Sequence, residues 1–208
     1  IILFFTLYTS SGVVAGGKLF ESSFGLDYQL GVFITAGVVV AYTLFGGFMA
    51  VSLTDFVQGC IMFIALILVP TVVVFELGGI NHTITAINAI DPNYFSLFNA
   101  VGSMDSIGII AIISLMAWGL GYFGQPHIIV RFMALRDVKD MPVARRIGMS
   151  WMIIALFGAF ATGLFGMVYA TENNLQVDDP ETIFIMLSQL LFHPLIAGFL
   201  LAAILAAI

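Results

Sequence analysis

Trp118–His127 reads WGLGYFGQPH, the close of an apolar run that begins near residue 107 and is long enough to cross a membrane. Three glycines and a proline sit in these ten residues, although in a helix interior each Gly costs about 1 kcal/mol relative to Ala and a Pro about 3. A Leu-rich segment would keep that stability. In hydrocarbon every freed backbone group must find a partner, so non-helical backbone survives at membrane depth only where protein surrounds it or it lines a cavity. An interrupted span is therefore a candidate binding site. Gly119, Gly121 and Gly124 let the chain unwind and turn carbonyls toward a ligand, while Trp118, Tyr122 and Phe123 offer aromatic faces and a hydroxyl. The competing explanation is that small residues let helices approach closely and that Pro126 merely ends a helix. Packing alone does not call for Trp, Tyr and Gln in the same stretch.

The surrounding composition supports a bilayer setting. Only 9% of residues are charged and 61% are hydrophobic, with a mean hydropathy of +1.13, whereas a soluble domain carries about a quarter charged residues. The formal net charge of −6, with six Lys and Arg in all, argues against a nucleic-acid partner, since phosphate binding works by basic residues displacing counterions. The one cysteine, Cys60, cannot form an internal disulfide or a thiolate cluster. The chain opens on IILFF and closes on LAAILAAI, so it is expected to be a piece of a longer protein, and its start lacks the charged n-region of a signal peptide.

Six apolar runs are candidate spans, at residues 1–19, 30–49, 56–77, 107–124, 147–169 and 190–208. None alternates as a transmembrane strand would, so the expected class is an all-α polytopic membrane protein forming one transmembrane domain over residues 1–208. Five of the six basic residues (Arg131, Arg136, Lys139, Arg145, Arg146) fall in one connection, residues 125–146, which the positive-inside rule places in the cytoplasm. Counting outward puts a turn at residues 50–55 inside and the long connections 78–106 and 171–189 outside. Both outer loops have the turn and apolar content for short surface helices.

Other polar residues within the spans are candidates of lower specificity. Tyr8 and Ser11 share a face of the first span, beside Thr6, Thr9 and Ser10. These hydroxyls either line a polar path or bond to carbonyls of their own helix. Gly12–Gly16, GVVAG, reads as close helix packing. Asp55, in SLTDF, could receive a cation at the mouth of the third span, or Ser-Leu-Thr-Asp could cap a helix N-terminus. The three histidines lack ligand spacing, no phosphate loop of Walker form is present, and the spans hold no cluster of ionisable residues that would suit an enzyme.

Three long blocks carry a resemblance. Gly25–Ala50, GLDYQLGVFITAGVVVAYTLFGGFMA, resembles the signature of the sodium/solute symporter family, and YTSSGVVAGGKLFESSFG and SLMAWGLGYFGQPHIIVRFMA resemble its proline-transporting branch. The resemblance covers nearly the whole chain and weakens in the outer loops. It implies a five-plus-five inverted-repeat transporter fold, of which these spans would be core helices three to eight, in the cell inner (plasma) membrane. It further implies sodium-coupled import of L-proline, with Na+ as coupling ion and no other cofactor. Carried over by position, Tyr8, Trp118, Tyr122 and Pro126 would bind substrate, Asp55 would lie at a cytoplasmic sodium-release position, and the Ala207 carbonyl would join the main sodium site. That site would be completed by residues before Ile1 and after Ile208. The alternatives are symport of another small solute, such as pantothenate, a sugar or a carboxylate, and a channel with the glycine-rich break as filter.

Overall fold

Apolar segments in lipid must satisfy their backbone internally, which favours helices. The computed structural model describes residues 2–96, 109–121, 125–177 and 179–205. Among these there are eight α-helices and no strand: α1 (Ile2–Phe24), α2 (Tyr28–Glu76), α3 (Ile80–Ile90), α4 (Ile109–Gly121), α5 (Pro126–Met133), α6 (Met141–Glu172), α7 (Ile183–Leu191) and α8 (Pro194–Leu205). Among the described residues, three stretches are long and apolar enough to cross a bilayer, namely α1, α2 and the Val138–Glu172 run that contains α6. The chain is an all-α membrane protein.

α2 carries 49 residues, which at ~1.5 Å per residue is more than twice the ~30 Å of a hydrocarbon core. It is two helices joined at a kink, where Gly47 alone leaves helical geometry (φ 57°, ψ −161°). Only glycine adopts that conformation cheaply. Asp27 caps the start, its side chain accepting from the Gln29 N–H at 2.9 Å. The position of the break corrects the sequence-based expectation of a turn at residues 50–55, which are helical throughout. Capping chemistry pointed to Ser52–Asp55, but the left-handed φ available at Gly47 decides where the chain bends. Thr54 bonds back to the Ala50 and Val51 carbonyls, each at 2.9 Å.

The contacts divide the chain into two units. In the first (Ile1–Thr83 and Ile154–Ile208), glycines set the helix spacing. A Cβ at Gly17 would stand 2.7 Å from Val32 and 2.8 Å from Tyr28, and one at Gly16 would overlap Thr35. The packing expected of Gly12–Gly16 is thus found at Gly16. Thr35 is buried and spends its hydroxyl on the Gly31 carbonyl at 2.9 Å. On α6, a Cβ at Gly158 would overlap the Leu66 carbonyl, and one at Gly166 would come to 2.8 Å from Leu187. The core is built from Ala65, Val69 and Val73 of α2, Val168 of α6, Leu187 of α7, and Leu200 and Ala203 of α8.

α7 lies where a short surface helix was expected, yet Ile185, Leu187 and Ser188 are buried. Its IFIMLSQLL sequence has too much apolar area to leave in water, and it packs on α2 and α8. Phe192 is extended and α8 starts at Pro194, four residues later than the apolar run suggests.

The second unit covers Ile84–Ile153. After α3, Asp91 accepts from the Asn93 N–H at 2.8 Å and starts a single 3-10 turn, Pro92–Phe95. α4 and α5 follow, then a 3-10 turn at Val138–Asp140 begun by Asp137. This turn runs directly into α6, so that helix begins more than a turn before residue 147 and includes Arg145 and Arg146.

Candidate functional site

The interruption singled out in WGLGYFGQPH is bracketed by two separate helices. α4 is helical to Gly121, Gln125 is extended (φ −86°, ψ 108°), and Pro126 is the first residue of α5, where its missing N–H leaves no helical bond unmade. The Gln125 carbonyl accepts from the N–H groups of Ile128 (3.1 Å) and Ile129 (3.2 Å). Trp118, Gly119 and Gly121 all lie within the described helix. Unwinding expected as early as Gly119 is therefore not found there. A single glycine costs a helix only about 1 kcal/mol, which the neighbouring Ile, Leu, Met and Ala residues can absorb. A Cβ at Gly119 or Gly121 would meet no described atom within 4 Å. Tyr122 and Gly124 lie outside the described residues, as does Ala207. Trp118 and Pro126 are described by their backbone alone.

Tyr8 and Asp55 belong to the first unit, and Trp118 and Pro126 to the second. Tyr8 is on α1, exposed, with its ring tilted against Phe5 at a centroid separation of 6.4 Å. Its hydroxyl-bearing neighbours bond within their own helix: Thr6 to the Ile2 carbonyl at 3.0 Å, Ser10 to that of Leu7 at 2.8 Å, and Ser11 to that of Tyr8 at 2.7 Å. These contacts settle those three hydroxyls as helix-satisfied groups. A groove of about 860 Å³ runs beside them, with Phe5, Thr6 and Val13 on one wall and Tyr28, Val32 and Phe33 on the other. Asp55 is half-buried in the interior of the second half of α2. It is not an N-terminal cap, so that explanation for its presence in an apolar segment falls away.

The sequence reading missed a clasp at the other end of α1. Lys18 donates to Asp179 Oδ2 at 2.7 Å and also to Glu181 Oε2, holding the segment before α7 against α1. The Lys18 hydrogen bond keeps the Asp179 carboxyl below its ordinary range, assisted by the Glu181 N–H. The signal was present: Lys18 is the one cation outside the 125–146 connection, and the acidic 171–189 segment has no basic residue of its own. Nearby, His82 Nε2 lies 2.9 Å from Glu172 Oε1.

Long apolar helices, two of them joined at Gly47 and another pair separated by the extended Gln125, define a polytopic helical membrane protein. The whole chain, residues 1–208, matches the sodium:solute symporter family. The protein belongs to that family, whose members are symporters rather than enzymes. It is 61% identical over its full length to the osmoregulated proline transporter OpuE of Bacillus subtilis (strain 168), covering 41% of that protein. Identity to the high-affinity proline transporter PutP of the same organism is 58%, again over the full chain and 43% of the relative. For sodium/proline symporter 2 of Staphylococcus saprophyticus the figures are 55% and 39%. The chain thus spans about two-fifths of the length of these relatives. No solved structure matches it.

Proposed function

We propose that the chain is part of a sodium-coupled importer of L-proline in the bacterial plasma membrane, built on the five-plus-five inverted repeat. The observation that carries this reading is the 55–61% identity, without truncation of this chain, to three proteins named for proline transport. The interrupted helix supports it from the physical side. Gln125 is extended immediately before Pro126, and backbone groups freed at such a break can meet the carboxylate and ammonium of a zwitterion. The segment offers no charged side chain for that task. Trp118, Tyr122 and Pro126 would contact the apolar pyrrolidine ring, and Tyr8 of α1 is kept as a substrate-binding residue on the family resemblance alone.

Asp55 would receive sodium on its way to the cytoplasm. A carboxylate seven residues into an apolar helix is costly unless it serves a cation path, and its helix-interior position removes the capping alternative. Sodium moving inward through ~100 mV releases ~2.3 kcal/mol, and a tenfold ion gradient adds ~1.4. One ion per substrate then supports roughly a few hundredfold accumulation.

The test is uptake of labelled proline by the full-length transporter with and without an imposed sodium gradient, alongside Trp118→Ala and Tyr122→Ala. Saturable, sodium-dependent uptake that both variants reduce by about tenfold or more (~1.4 kcal/mol or above) is expected. Uptake unchanged in both variants removes the substrate site from the interruption, and an ohmic conductance in place of saturation removes symport.

A further inference from the structure

The cations of the chain are concentrated in one stretch. Arg131, Arg136, Lys139, Arg145 and Arg146 lie together in the second unit with only Asp137 and Asp140 as nearby carboxylates in sequence, while the rest of the chain has Lys18 alone against ten carboxylates. All five cations are exposed. Among the described residues, Arg136, Lys139, Arg145 and Arg146 make no ion pair. Asp137 is already engaged, accepting from the Lys139 N–H at 2.9 Å. By contrast, Lys18 holds two carboxylates.

Apolar side chains are interleaved with these cations. Met133 is 77% exposed, Val138 82%, Val143 55% and Ile147 64%. On α6, Val143, Arg146 and Ile147 stand at i, i+3 and i+4 and share one stripe. Val138 projects from the 3-10 turn beside Lys139. A water-facing loop gains nothing from four exposed apolar side chains among its charges. A helix end lying in the headgroup layer gains on both counts, with cations at the phosphates and apolar side chains at the acyl boundary.

We propose that the Met133–Ile147 surface binds anionic phospholipid headgroups, with Arg136, Lys139, Arg145 and Arg146 taking phosphate oxygens and Met133, Val138, Val143 and Ile147 entering the bilayer edge. The inference rests on the reading that this connection is cytoplasmic, where the anionic leaflet lies. It does not depend on which solute is carried. Binding fixes the start of α6 at the interface and orients the interrupted α4–α5 segment that precedes it in sequence.

The experiment uses the full-length protein in nanodiscs of phosphatidylcholine with and without phosphatidylglycerol, reading the lipids retained by mass spectrometry after transfer to detergent. Each cation at an anionic surface is worth roughly fivefold in affinity. The wild type is expected to retain phosphatidylglycerol preferentially, and R136Q/K139Q/R145Q/R146Q to lose that preference by at least about tenfold. Val138→Gln should weaken retention of both lipids. Equal retention by the wild type and the quadruple variant overturns the proposal, as does loss of the preference when inorganic phosphate is added in excess, which would mark a simple anion site. So does a cross-link from Val138→Cys to another segment of the protein, which would show that protein covers the surface. Impermeant thiol labelling of Val138→Cys in a full-length background with every native cysteine, Cys60 included, replaced by Ser tests the topology separately. Reaction from outside overturns the proposal together with the cytoplasmic assignment, whereas protection from outside with no lipid preference overturns the proposal alone.

Discussion

Gly158 and Gly119 occupy apolar helices of similar composition, yet their surroundings differ completely. A Cβ added at Gly158 would run into the backbone of Leu66, while one at Gly119 would meet no described atom within 4 Å. The first glycine is there because another helix needs its space. The second cannot be explained by a described neighbour, and in a helix it gives up about 1 kcal/mol of propensity. A glycine that packs and a glycine that waits for something else look identical in sequence. Only the distance to the nearest atom separates them.

The largest effect should come from Gly158→Ala. Its obstruction is backbone, which cannot rotate away, so a loss of roughly 1–3 kcal/mol or more is expected, visible as a lowered melting temperature of the full-length protein in detergent. A melting temperature within error of wild type would break the contrast. Gly47→Ala should follow at about 1–3 kcal/mol, although nothing lies within 4 Å of a Cβ there, because the cost is in φ rather than in space. Gly16→Ala presses on the Thr35 side chain, and Thr35→Ala should recover part of the loss, a coupling readable by a double-mutant cycle. At the small end, Gly119→Ala should leave stability unchanged or raise it by up to about 1 kcal/mol while lowering proline uptake by about tenfold (~1.4 kcal/mol). If it destabilises as Gly158→Ala does, the distinction between the two glycines fails.

The Lys18 clasp sharpens the same contrast through charge. Asp179 has its carboxyl held low in the folded chain, so its contribution is complete above the unfolded carboxylate range and is lost as pH falls through the lower folded value. Limited proteolysis within residues 173–177 should accelerate on acidification, and Lys18→Met should show the accelerated rate already at neutral pH. Both groups are solvent-accessible, so the effect is expected to be local.

Much of the fold was legible because its signal is redundant. Long apolar runs have few ways to satisfy a backbone in lipid, and a run such as residues 147–169 reads as helix even when its ends are misjudged. Boundaries were harder, since they depend on single residues. Ser52–Asp55 looked like a cap, yet the bend belongs to Gly47. Leu190 looked like the start of a span, yet Pro194 begins α8. For the candidate site, the break before Pro126 was visible in the proline itself, but the helical state of Gly119 was not. Sequence shows that a helix can break and leaves packing to decide at which residue it does. Lys18 escaped notice because its partners lie some 160 positions away, a separation that no local pattern encodes.

The joint at Gly47 has a mechanical corollary. Its neighbours on both sides are helical, and consecutive Cα atoms are held ~3.8 Å apart, so the hinge has no slack to absorb displacement. Tilting the rod that ends at Gly46 must drag the head of the rod that carries Asp55. A carboxylate placed only two turns beyond such a pivot moves with it as on a short lever arm, without any relay of side chains between them.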